Sequence, residues 1–100
     1  MIARIWHGAV PVAKSDVYLD RMRKVALADY KSISGNRGAY CLHREEGGVA
    51  HFDMLTFWKD AYAIKRFAGD DYQVAKYYDF DRSFLIELEP YVRHFNMYDE

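Results

Sequence analysis

The sequence predicts an α+β protein with a ferredoxin-like βαββαβ order and one antiparallel sheet. A hairpin signal at Glu46-Gly47-Gly48 joins two strand patterns. One helical pattern, Pro11 to Asp29, precedes this hairpin, and a second, Ala61 to Ala68, follows it. Two such helical patterns exclude an all-β sandwich. Residues 1–100 are expected to form a single domain.

The first strand is predicted over residues 2–8, where β-branched and aromatic side chains precede Gly8. Pro11 suits the first turn of the following helix, because its missing N–H needs no partner there. The pattern to Asp29 separates apolar from charged residues, which predicts a helix lying on an apolar surface. The predicted apolar face consists of Tyr18, Met22, Val25 and Ala26.

Residues 31–38 carry turn chemistry, and they lead into a second strand from Arg37 to Glu45 and a third from Val49 to Trp58. The third strand has apolar side chains on both of its faces. Phe52, Met54 and Trp58 lie on one face, and Leu55 and Phe57 on the other. Because one chain of this size has too few elements to cover both faces, we expect a homodimer.

Asp60 is a suitable N-cap for the helix Ala61 to Ala68, and Gly69 suits its C-terminal end. Asp70 and Asp71 favour a second, shorter helix that extends to about Tyr78, since acidic side chains stabilise a helix N-terminus.

The remaining C-terminal part is predicted to be a loop over residues 79–83 and an extended segment over residues 84–89. Pro90 suits the first residue of a strand, so the last strand is predicted from Tyr91 to Tyr98.

Charge and cysteine content exclude several classes of protein. Fourteen basic and fifteen acidic residues give a formal net charge of −1, so neither nucleic acid nor a membrane surface is an expected partner. A single cysteine, Cys41, forms no internal disulfide, and its place in a strand favours a small hydrophobic role. Without an apolar span or a signal-peptide pattern, a soluble, cytoplasmic protein is expected.

Aromatic residues make up 17% of the chain, and nine of them are tyrosines. A domain of this size has little interior for so many large rings with polar ends. We therefore expect a pocket or an intersubunit surface to accommodate some of them.

The run LTFWKDAYAIKRFAGDDYQVAKYY, followed by FLIELEPYVRHFNMY, resembles the dimeric α+β barrel proteins grouped as antibiotic biosynthesis monooxygenases. The matching features are Trp58 at the end of a strand, the cap Asp60, Phe67 with Gly69, and His94 in the last strand. The resemblance covers most of the chain. It implies a homodimer whose two sheets face each other, with a small-molecule pocket between each sheet and its own helices.

The resemblance implies a monooxygenase that oxidises an aromatic or polyketide-like molecule with oxygen and without a cofactor. A non-catalytic ligand-binding or structural dimer of the same fold is the first alternative. Haem binding or degradation with non-standard ligation is the second. The haem-degrading branch, however, has a Trp where this chain has Phe67, a His where it has Tyr77, and an Asn where it has Trp6 or His7.

His94 and Tyr72 are the predicted catalytic residues. An imidazole accepts a proton near neutral pH, and the oxidation requires a phenolic proton to be removed. The alternative for His94, which the position favours, is a half-buried histidine with a structural hydrogen bond to the backbone or a tyrosine. Tyr72 either orients a hydroxylated ring or packs on the sheet.

The other predicted pocket residues are aromatic or cationic: Trp6, His7, Arg37, Trp58, Phe67, Tyr77 and Tyr78. Because Trp6 and His7 alternate along a strand, only one of them faces the pocket. Arg37 either holds an acidic group of the substrate or is an exposed charge at the strand end.

His43 and His51 flank the hairpin, and a three-residue turn would bring them opposite each other. No metal is expected there, since a zinc site needs further ligands and none has a suitable spacing. A register shift of one residue would separate the two histidines.

Overall fold

A four-stranded antiparallel sheet with the strand order β2-β3-β1-β4 forms the framework of the protein, which a computed structural model describes over residues 1–99. Its strands are β1 (Ile2–Pro11), β2 (Asn36–Glu46), β3 (Val49–Trp58) and β4 (Arg93–Asn96). Its helices are α1 (Ser15–Arg21), α2 (Leu27–Ser32) and α3 (Ala61–Ala68). The predicted α+β class and ferredoxin-like order are confirmed.

The first helical region differs from its prediction at both ends. Pro11 is the last residue of β1 and not a helical residue, and a short 3₁₀ turn (Val12–Lys14) precedes α1. A π-helical turn (Met22–Ala26) joins α1 to α2. Val25 is exposed, which contradicts its predicted place on the apolar face.

The π-helical turn has a packing reason. The buried residues of this region are spaced four apart: Tyr18, Met22, Ala26 and Tyr30. In an ideal α-helix, residues at this spacing rotate around the axis by about 40° at each step. The wider π turn reduces this rotation, so all four side chains remain over the sheet.

The hairpin turn has two residues, not the three that were predicted. Gly47 and Gly48 have φ angles of 59° and 79°, and Glu46 pairs with Val49. Two consecutive residues with positive φ fit a type I′ turn, whose twist matches that of paired strands. The register therefore shifts by one residue from the prediction.

Because of this shift, His43 pairs with Phe52 and Arg44 pairs with His51. The predicted facing pair of histidines is wrong, since the two imidazoles lie on opposite faces of the sheet.

The two faces of the sheet have different environments. Along β3, side chains alternate between fully buried and partly buried, as the two-faced pattern predicted. We call the face under the helices the inner face and the opposite face the outer face. The outer face carries several large apolar side chains with 47–56% exposure: Tyr40, Leu42 and Phe95.

Asp60 caps α3 as predicted, because its side chain accepts a hydrogen bond of 2.9 Å from the Ala63 N–H. Gly69 ends the helix with a φ of 87°, in the region that favours glycine.

The predicted helix from Asp70 to Tyr78 is wrong, because its backbone pairs with a distant segment. Val74 forms an isolated antiparallel bridge with Tyr91. The Ala75 N–H donates to the Pro90 carbonyl, and the Val92 N–H donates to the Gln73 carbonyl. A short helix containing Val and Tyr has little intrinsic stability, so this tertiary pairing prevails over the charge preference of the two aspartates.

The last strand is shorter than predicted for the same reason. Residues 91 and 92 pair with residues 73 and 74, so β4 begins only at Arg93. It ends at Asn96 because its partner strand β1 begins at Ile2. Residues 84–89 run irregularly, with the Ile86 N–H donating to Ala9, and not as an extended strand. Residues 79–83 form a 3₁₀ turn and not an open loop.

The core lies between the inner face and the helices. Its largest fully buried side chains include Trp58, Arg4, Tyr18 and Phe52. Among residues 1–99, no helix has both the length and the apolar character needed to cross a membrane.

Candidate functional site

Three polar side chains occupy neighbouring positions on the inner face, on strands β1 and β4. Arg4 and Trp6 come from β1, and His94 comes from β4, where it pairs directly with Arg4. Arg4 is 1% exposed and Trp6 is 2% exposed. We call these three side chains the inner polar cluster. In each of them at least one buried nitrogen has no hydrogen-bond partner among residues 1–99: Arg4 Nε and Nη2, Trp6 Nε1, and His94 Nε2.

Arg4 is the most unusual member of the cluster. Burial lowers the pKa of its guanidinium, and the phenol groups of Tyr30 and Tyr78 act in the opposite direction. The guanidinium carbon lies 5.4 Å from the centre of the Phe67 ring, which gives a cation–π contact. Among residues 1–99, no carboxylate is among the groups that shift the pKa of Arg4.

Trp6 lies flat above β1 because the strand has a glycine two residues later. A Cβ atom at Gly8 would be 2.5 Å from Trp6 Cη2 and 2.8 Å from Leu85 Cδ2. The edge of the Trp6 ring faces Tyr77, with 5.9 Å between the ring centres. Gly8 therefore makes room for the indole, and Tyr77 covers it.

His94 contacts the second predicted catalytic residue, Tyr72. Their ring centres are 5.0 Å apart and their planes are nearly perpendicular. Burial, together with the positive charge of Arg4, lowers the pKa of His94 to about 4. The imidazole is therefore neutral at pH 7, so it can accept a hydrogen bond but holds a proton only weakly.

Phe67 connects this region to the rest of the core. Its ring centre lies 4.8 Å from that of Tyr30 and 5.9 Å from that of Trp58. The Lys76 ammonium lies 4.2 Å from the Phe67 ring centre. Trp58 is fully buried and donates its indole N–H to Thr56 Oγ1 at 2.8 Å, so it supports Phe67 from within the core.

Tyr78 has a different environment from Tyr72 and Tyr77. Its hydroxyl donates to Asp29 at 2.6 Å, and burial raises the pKa of that hydroxyl. Its backbone N–H donates to Asp81, a buried carboxylate that also accepts the hydroxyl proton of Tyr18 at 2.7 Å. These bonds place Tyr78 in a structural network beside the cluster.

His7 lies on the outer face, so Trp6 is the residue of that pair that faces the helices. His7 Nδ1 lies 2.6 Å from Glu89 Oε2, and His7 Nε2 lies 3.0 Å from His51 Nδ1. We call Glu89, His7 and His51 the outer polar chain. Among residues 1–99, no group of three His, Cys, Asp or Glu residues has an arrangement that would hold a metal ion.

Arg37 is exposed in a bulge of β2 between Asn36 and Gly38, away from the inner polar cluster. His43 is also exposed, and its Nε2 bonds with Ser15 Oγ at 2.9 Å. Of the predicted site residues, the structure brings together Trp6, Phe67, Tyr72, Tyr77 and His94.

Sequence reasoning missed Arg4, although a signal for it was present. Arg4 lies two residues from both Ile2 and Trp6, so it shares the face of the large indole and not the face of His7. An arginine in that position is an inward-facing charge, which soluble domains bury only when it is compensated.

The space around the cluster is closed: among residues 1–99, no cavity is found. The arrangement can donate hydrogen bonds from Arg4 and Trp6 to an acidic group, and it can accept one at a neutral His94. It does not fit haem. Tyr77, which the resemblance aligns with the histidine of the haem-degrading branch, is a tyrosine whose hydroxyl donates to the Glu89 carbonyl.

Comparison with known proteins identifies the fold alone. Neither a family model nor a curated protein matches the sequence. The chain is similar to a solved structure described as Rv0793 from Mycobacterium tuberculosis, with a TM-score of 0.63 and 14% sequence identity. The match covers 99% of this chain and 96% of that one. At this identity, the similarity establishes that the two proteins share an α+β fold.

Proposed function

We propose that this chain belongs to the antibiotic biosynthesis monooxygenase superfamily and oxidises an aromatic or polyketide-like molecule with oxygen, without a cofactor. The observation that carries this proposal is the position of the inner polar cluster. Arg4, Trp6 and His94 place buried polar nitrogens among the rings of Phe67 and Tyr72. Such a combination of apolar walls with a few polar groups is typical of small-molecule sites.

In the proposed reaction, His94 accepts the acidic proton of a phenolic or enolic substrate, and Tyr72 positions the ring. The Trp6 N–H donates to the anion that develops. The anion transfers one electron to dioxygen, and the resulting radical pair combines into a peroxide anion at carbon, which takes back the proton from His94. Loss of water leaves a carbonyl, so a CH₂ group and O₂ give C=O and H₂O.

Oxygen uptake with a panel of hydroquinones and anthrones, in chelator-treated buffer, tests the reaction. We expect uptake that depends on the protein, with one O₂ consumed per molecule of quinone formed. His94→Ala should lose this activity while remaining folded. His43→Ala is the matched control, because His43 is exposed on another part of the sheet. Rates equal to those without protein across the panel would refute the catalytic proposal.

A non-catalytic ligand-binding or structural dimer is the second candidate, and one observation favours it. Among residues 1–99, no pocket is found on the inner side of the sheet. A filled core without turnover fits a binding or structural role. Ligand-dependent stabilisation without oxygen uptake would support binding, and the absence of both would support a structural role.

Both candidates include a homodimer that forms through the outer face. Exposed apolar side chains on that face support it: Tyr40, Leu42 and Phe95 are 47–56% exposed. Light scattering after gel filtration should give a mass of two chains at micromolar concentration. A mass of one chain would contradict the proposed dimer.

Titration with haemin provides a further control, in which we expect the spectrum of free haemin.

A further inference from the structure

The buried edge of the Arg4 guanidinium has a shape that selects its partner. Nε and Nη2 are both buried, and neither has a hydrogen-bond partner among residues 1–99. These two nitrogens form one side of the planar group, where their N–H bonds run parallel. The two oxygens of a carboxylate match this pair, whereas a single phenol or carbonyl oxygen uses only one of the bonds well.

The protein itself compensates this charge poorly. Moving a charged group out of water is strongly unfavourable even after the protein relaxes, above all when the group has no charged partner. The cation–π contact with Phe67 offsets only part of this cost. The phenols of Tyr30 and Tyr78 are neutral at pH 7, because burial raises the pKa of each. An anion from outside the chain would supply the missing compensation.

Carboxylates of the chain on this side of the sheet have other partners. Asp29 and Asp81 are close enough to Tyr30 to raise its pKa, whereas Arg4 lowers it, so both carboxylates lie on the same side of the sheet as Arg4. Asp81 accepts hydrogen bonds from the Tyr18 hydroxyl and the Tyr78 N–H, and Asp29 accepts one from the Tyr78 hydroxyl. Both carboxylates are therefore already hydrogen-bonded to tyrosines.

We propose that Arg4, Trp6 and His94 form a carboxylate-binding subsite, and that the ligand of this chain is a small aromatic carboxylic acid. Its carboxylate pairs with Arg4 Nε and Nη2, and its ring lies against Phe67 and Tyr72. The partly exposed Tyr72 side chain rotates away from His94 to admit it. This inference rests on the proposed function for the location of the ligand, but not for any oxidation.

Carboxylate binding also explains how a histidine with a pKa of about 4 acts as a base. Part of that lowering comes from the positive charge of Arg4. A carboxylate bound to Arg4 neutralises the charge, so the pKa of His94 rises toward neutrality. Recognition of the carboxylate by Arg4 thus makes the neighbouring His94 a better proton acceptor.

Binding is measured under nitrogen with 2-naphthoate, which oxygen does not oxidise readily, and compared with 2-naphthol and 2-naphthamide. These probes differ in the acidic group and share the ring. We expect naphthoate to raise the unfolding temperature of the wild-type protein with increasing concentration, and to bind more tightly than either analogue. Equal affinity for the three probes, or no shift with naphthoate, would overturn the subsite.

Two arginine variants separate binding from stability. Arg4→Met should weaken naphthoate binding by roughly 30-fold or more, because a buried charge pair is lost. Without ligand, the variant should be at least as stable as the wild type, since the uncompensated charge is gone. Arg44→Met, at an exposed residue of the outer face, should bind naphthoate unchanged. A purely structural Arg4 would instead give a destabilised variant with unchanged affinity for naphthoate.

A second measurement uses only the wild-type protein, so its outcome does not depend on whether a variant folds. NMR titration of the His94 ring, with and without saturating naphthoate, should show an upward pKa shift of about one unit or more. An unchanged His94 pKa would contradict the subsite. Binding without oxygen uptake refutes only the oxidation, whereas oxygen uptake without carboxylate selectivity refutes only the subsite.

Discussion

The inner polar cluster and the outer polar chain lie on opposite faces of the same strand, and they satisfy their polar groups differently. In the outer polar chain, Glu89 and His7 are about one-third exposed and bond to each other, and His7 also bonds to His51. In the inner polar cluster, Arg4 and Trp6 are almost fully buried. Arg4 Nε and Nη2 and Trp6 Nε1 have no hydrogen-bond partner within residues 1–99.

The difference shows where a hydrogen bond matters. At an exposed position, water replaces a lost partner, so the bond contributes little net stability. At a buried position, an unpaired polar group carries its full desolvation cost. A site that retains such groups needs a reason outside its own stability, and recognition of a ligand provides one.

The largest test compares neighbouring residues of β1. Trp6→Ala should reduce the free energy of unfolding by about 3–5 kcal/mol, because it leaves a cavity beneath Tyr77. His7→Ala should cost only about 0.5–1.5 kcal/mol, since it removes partly exposed hydrogen bonds. Urea unfolding of both variants measures the contrast. Equal losses would contradict the assignment of the two faces.

A second test addresses the space in which Trp6 lies. Gly8→Ala introduces a Cβ atom that would be 2.5 Å from the indole and 2.8 Å from the Leu85 side chain. We expect a loss of about 1–3 kcal/mol from overpacking. Combining it with Leu85→Ala should recover part of this loss, because one of the two clashes disappears. Strictly additive losses in urea unfolding would show that Leu85 does not contribute to the clash.

The fold could be predicted largely from local signals, because those signals act within one element. The hairpin, the two-faced β3 and the Asp60 cap each depend on residues close in sequence, and all three are present. Residues 69–92 could not be predicted in this way. The pairing of Val74 with Tyr91 joins residues far apart in the chain, and a charge preference at Asp70 and Asp71 is weaker than that pairing.

The candidate site was predictable in part, for the same reason. His94 and Tyr72 follow from the resemblance, whereas alternation along a strand leaves the choice between Trp6 and His7 open. The burial of Arg4 can be predicted only if β1 is known to be a central strand whose edge is covered by β4, since only then is its side chain fully enclosed. The place of Arg37 depends on a bulge that shifts the register of β2, and the sequence pattern does not reveal it.

The third test uses the pKa of His94. The folded protein binds a proton at His94 only near pH 4, whereas the unfolded chain does so near the ordinary value of 6.5. Between these values the unfolded state binds more protons, so the contribution of His94 to stability is present above about pH 6.5 and is lost as the pH falls towards 4.

The corresponding measurement is urea unfolding at several pH values for the wild type and for His94→Gln. The stability difference between the two should shift against the wild type as the pH falls from 7 to 4, and it should then become constant. Other titrating groups affect both proteins and cancel in the difference. A difference independent of pH would mean that His94 titrates normally and is not enclosed by the cluster.

The smallest effect is expected in the outer polar chain. A double-mutant cycle with His7→Ala and Glu89→Gln should give a coupling energy below about 1 kcal/mol, because both side chains are about one-third exposed. The proposed dimer would change this coupling energy. If a second subunit covers the outer face, the coupling measured above the dimer dissociation constant should exceed the coupling measured in dilute solution, because burial strengthens the pair. Couplings that are equal at both concentrations would place the outer polar chain outside the subunit interface.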